Sequence, residues 1–132
     1  MIQYLEVNRN PKGRKTGDCV TRALAGILGI TWAEALKEQY EMALKKSLSW
    51  GDKKLEDAVL KKYGYIKCPQ PKKPNGTKYR LYELDKVVTP YQMSLGIYVT
   101  VAHHATYVVD GAVEDIWDCR GYTIRNYWVK EV

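Results

Sequence analysis

Apolar positions from residue 18 onward recur at helical intervals: after Asp18, the residues Val20, Ala23, Leu24, Ile27 and Leu28 mark one helix face, and Gly29 supplies its stop. A second helix is predicted for "TWAEALKEQYEMALKK", with Thr31 and Glu34 spaced as a capping box and Trp32, Ala35, Leu36, Tyr40, Ala43 and Leu44 as its apolar face. "GDKKLEDAVLKKYG" reads as a third, shorter helix with Asp52 near its start and Gly64 at its end. The pattern then changes. Pro69, Pro71, Pro74 and the Asn75/Gly76 pair exclude a long helix, and predict a strand, a basic loop and another extended piece. "LDKVVTPY" suits a short helical turn stopped by Pro90. From Leu95 to the end, β-branched and aromatic residues with breaks at Asp110/Gly111 and Gly121 predict three antiparallel strands. Helices first and a meander last is an α+β plan, with N-terminal helices packed on a C-terminal antiparallel sheet.

Composition narrows the class. The 132 residues, 45% apolar and 27% charged, suit one compact domain over 1–132, and no apolar run approaches the length of a spanning helix. The opening "MIQYLEVNRNPKGRK" lacks the apolar stretch of a signal peptide, so a cytoplasmic location is expected. Cys19, Cys68 and Cys119 are odd in number and far apart, which argues against both a disulfide framework and a zinc site. No cofactor or metal is called for. The net charge of +6 is unevenly spread: residues 1–80 hold 17 Lys and Arg against 8 Asp and Glu, while residues 81–132 hold 4 against 7.

One thiol occupies an unusual place. With Asp18 as N-cap, Cys19 is the first helical residue, where unpaired backbone N–H groups and the helix dipole favour a thiolate and offer a donor to an oxyanion. The small residues Ala23 and Gly26 would let this helix lie close to a sheet. The dipole alone is worth about 0.3–1 kcal/mol, so an activated thiol needs a base. The only two histidines, His103 and His104, open the strand "HATYVVDG", and alternation lets just one of them face Cys19. Asp115 and Asp118, on opposite parities of the next strand, are the carboxylates that could orient the imidazole.

A Cys opening the first helix, a His opening a strand and an Asp on the following strand resemble the papain-fold cysteine peptidases. "TGDCVTRALA" with "HHATYVVDGAVEDIWDCR" is similar to the small bacterial and phage proteins of the bacteriocin-processing branch. The resemblance implies a papain-like fold with Cys19 as nucleophile, His104 as base and Asp118 as orienting acid. The Gln that this branch carries upstream, as second oxyanion donor, is matched by Gly13. Asn8, Asn10 or Thr16 is then expected to donate, with Asn10 favoured because its amide is the same donor group. The chemistry implied is acyl transfer at an amide or isopeptide bond of a peptide or protein substrate, with protease, deamidase and transglutaminase differing only in leaving group and acceptor. The positive charge would suit an acidic substrate. Two other readings compete: a papain-fold module that has lost its chemistry and only binds protein, and a basic nucleic-acid binder, which has no named motif behind it.

Overall fold

The computed structural model describes every residue except Thr16 and Val132. Its elements are β1 (Gln3–Glu6), α1 (Cys19–Leu28), α2 (Trp32–Lys46), α3 (Lys53–Lys62), β2 (Tyr65–Cys68), a 3-10 helix (Leu81–Lys86), α4 (Pro90–Leu95), β3 (Ile97–Val101), β4 (His104–Val109), β5 (Ala112–Asp115) and β6 (Asn126–Lys130). The α+β plan therefore holds, with a six-stranded sheet in the order β1-β5-β4-β3-β6-β2. Two features differ from expectation. The C-terminal part forms four strands, because the chain also turns at Ala102–His103, and the sheet is mixed, because β1 pairs with β5 in parallel. Pro90 opens α4 instead of stopping a helix, as its fixed φ allows at a first helical position.

The helix signals fold as chemistry dictates. Thr31 and Glu34 form the reciprocal capping box, with Glu34 N donating to Thr31 Oγ1 (3.1 Å) and Thr31 N to Glu34 Oε1 (2.9 Å). Asp52 caps α3 through the N–H of Lys54. The face of α2 is rotated from its expected position: Ala35, Gln39 and Met42 are buried, while Tyr40 stacks on Trp50 in solvent and Leu44 is exposed.

The sheet is covered on both faces. Leu24, Ala35, Leu55, Val59 and Leu60 from α1–α3 pack on Tyr98, Tyr107 and Trp128. Ile97, Val99, Val108 and Val113 on the other face pack on Leu81, Leu84 and Met93 from the 3-10 helix and α4. Helix α1 lies close against β4, and Gly26 explains how. A Cβ there would sit 2.1 Å from the ring of Tyr107, so only glycine lets the helix and that ring share the space. Among the described residues, no single helix is long and apolar enough to cross a membrane.

Candidate active site

Cys19 stands at the first position of α1, and its N–H, with those of Val20 and Thr21, precedes the first intrahelical bond, Arg22 N to Asp18 O (2.9 Å). Asp18 does not cap this helix with its side chain. Its carboxylate instead gathers the surroundings of the helix start: it accepts from Asn10 Nδ2 (2.8 Å) and Trp32 Nε1 (2.9 Å) and pairs with the guanidinium of Arg22. These bonds tie the N-terminal loop, α2 and α1 together at the point where the thiol emerges.

The close approach of α1 to β4 brings Cys19 to His104, the first residue of that strand; the two side chains line the same cleft, near enough for the imidazole to lower the thiol. His104 Nε2 lies 2.6 Å from Asp115 Oδ2, and both side chains are buried. Asp115 is further fixed by the N–H of Ile116 on Oδ1 (2.7 Å). Strand alternation puts His104 on the parity of Val108 and Asp115 on that of Val113, the face opposite α1. The three groups therefore meet where the sheet ends. Trp117 covers the imidazole, with ring centroids 4.9 Å apart, and Tyr122 packs edge-on against Trp117.

The electrostatics follow from this geometry. Burial pushes the Cys19 thiol up, but the His104 imidazole and the N–H groups of Ala105 and Val20 outweigh it, and the thiol lies below its ordinary range. Burial alone would lower His104; its bond to Asp115, with Cys119 and Cys19 nearby, reverses this and raises the imidazole to about 11. Asp115 is pushed up by burial and, on balance, held below the usual carboxylate range, chiefly by His104. All three directions favour the charged forms: thiolate, imidazolium and carboxylate.

Three sequence expectations land elsewhere. Asp118, expected on His104, lies beyond the end of β5, where the alternation that defined its parity no longer applies. It holds the guanidinium of Arg120 in a bidentate pair (2.9 and 2.8 Å) and is half exposed. Asn10, expected as oxyanion donor, directs its amide to Asp18 and accepts the N–H of Lys12 on Oδ1 (2.8 Å). Asn8 likewise bonds the backbone, at Arg14 O, and Thr16 lies outside the described residues. His103 is exposed in the β3–β4 turn at a φ of 53°.

Sequence reasoning passed over Gln39. It is 3% exposed, its Oε1 accepts from the Thr21 hydroxyl (2.7 Å), and it lines the same cleft as Cys19. Only the rotated face of α2 reveals it. Cys119, read as a plain core thiol, is fully buried with its Sγ 3.9 Å from Asp115 Oδ2.

No protein-family model, no curated protein and no solved structure matches the chain.

Proposed function

We propose that the protein is a cysteine-nucleophile acyl-transfer enzyme of papain-like type, acting on an amide or isopeptide bond. The observation that carries the reading is the grouping of Cys19, His104 and Asp115, with the thiol at a helix N-terminus beside an imidazole that a buried carboxylate holds. Asp115 takes the orienting role that the resemblance had given to Asp118.

The steps balance as follows. The Cys19 thiolate attacks the carbonyl carbon, and the oxyanion is held by the Cys19 N–H and by Gln39 Nε2, a side-chain amide on the same cleft. The C–N bond breaks as His104 gives its proton to the departing amine, leaving a thioester. Two anions keep the imidazolium charged in the resting site; acylation removes one of them, so the imidazole becomes less basic just when it must release its proton. Water then gives a proton to His104 and attacks the thioester, releasing the acid and restoring the ion pair. An amine in place of water gives transfer instead of hydrolysis. Asp115 holds the ring through Nε2 and stays ionised.

Alkylation with iodoacetamide at pH 6 tests the reading without a known substrate. Wild-type Cys19 is expected to react much faster than Cys68 or Cys119, and His104→Ala to remove the difference. With peptide substrates, a thioester mass adduct on Cys19, absent in Cys19→Ala, is the second expected result. Equal, slow alkylation of all three thiols would overturn the reading.

A further inference from the structure

Beside Cys19 a cleft of about 450 Å³ runs along the α-helical face of the sheet toward β6 and β2. Three carboxylates line it, and each is engaged. Asp18 is paired with Arg22, Asp52 accepts the N–H of Lys54, and Glu56 accepts the hydroxyl of Tyr98 (2.7 Å), with burial holding its carboxyl above the usual range. The cations are not ion-paired: Lys53, Lys67 and Arg125 line the same cleft, and none makes a salt bridge among the described residues, although Lys67 and Lys53 act on Glu56 at longer range.

Two of these cations are placed by the sheet itself. Lys67 sits opposite Trp128 in the β2–β6 register, and its Nζ lies 5.6 Å from the centroid of that ring, over the cleft floor. Arg125 donates its backbone N–H to Thr100 O (2.8 Å), which puts it beside the hairpin that carries His104.

We propose that this cleft binds a substrate segment bearing a carboxylate a few residues from the scissile bond, with Lys67 and Arg125 as its recognition groups. The proposal rests on Cys19 being the nucleophile. Two cations, one of them over an aromatic floor, match one short, singly or doubly charged segment; a nucleic acid, with a phosphate at every step, calls for a longer basic track.

The test uses reactive peptides that alkylate Cys19: bromoacetyl-Ala-Glu-amide, its Gln counterpart, and bromoacetyl-Ala-Gln with a free C-terminal carboxylate. The Glu probe is expected to alkylate Cys19 about fivefold faster than the neutral Gln amide, the scale of one exposed charge pair. A preference for the free-acid probe alone would assign the carboxylate to a peptide C-terminus. The double variant Lys67→Gln/Arg125→Gln is expected to bring the ratio to about one, and Lys67→Glu/Arg125→Glu to prefer a bromoacetyl-Ala-Lys-amide probe. Fast alkylation without charge preference overturns this proposal alone, as does protection of Cys19 by RNA but not by acidic peptide. Slow alkylation by every probe defeats the nucleophile reading and this one with it.

Discussion

At the scale of single residues, the cluster makes sharp distinctions between neighbours. Asp115→Asn removes the charge that raises His104, and is expected to slow pH 6 alkylation of Cys19 and to lower turnover by orders of magnitude, whereas Asp118→Asn leaves both unchanged because its carboxylate serves Arg120. The alkylation rate of wild-type protein should inflect below the ordinary thiol value of 9.0, and in His104→Ala at a higher pH than in wild type, since burial then acts on the thiol with less opposition. Asp115 also links stability to acid. A carboxyl held below its ordinary 3.8 contributes stability that is full above that pH and is lost as pH falls through the lower, folded value. The acid limb of a thermal-stability profile should therefore be shallower in Asp115→Asn than in wild type. Gln39→Ala is expected to reduce amide turnover by about 10²–10³-fold while sparing alkylation, which develops no oxyanion.

At the scale of elements, the site depends on how closely α1 approaches β4. Gly26→Ala would drive a methyl group into the Tyr107 ring, at a cost of about 1–3 kcal/mol, and by lifting the helix it should slow Cys19 alkylation; denaturant titration and rate measurement on one sample check both. Elements with local chemistry were legible in the sequence: the three helices, the Thr31/Glu34 box, the Asp52 cap and the turn at Gly111 all have their causes within a few residues. What was missed has distant causes. The four residues of β1 carry no strand signal of their own and are ordered by β5, more than a hundred positions away. The facing of α2 is set by tertiary packing and by the Tyr40–Trp50 stack, so Gln39 looked like a surface residue. Cys19 and His104 were readable because each sits at an element's first residue. The choice of Asp115 over Asp118 required knowing where β5 ends.

At the scale of the whole molecule, Cys19 comes from the helical layer and His104 and Asp115 from sheet positions that face away from it, so their meeting requires sheet and helices together. Unfolding usually exposes thiols and speeds their alkylation. Here urea should have the opposite effect at pH 6: the Cys19 rate is expected to fall through the same transition that circular dichroism reports, while Cys119, fully buried in the native state, speeds up. A nascent or heat-damaged chain is thus chemically quiet. Its three sulfurs are ordinary, mostly protonated groups, slow toward peroxide and stray electrophiles. On the proposed reading, the meeting of the two layers at the sheet's end acts as a safety catch, released only when assembly of the domain is finished.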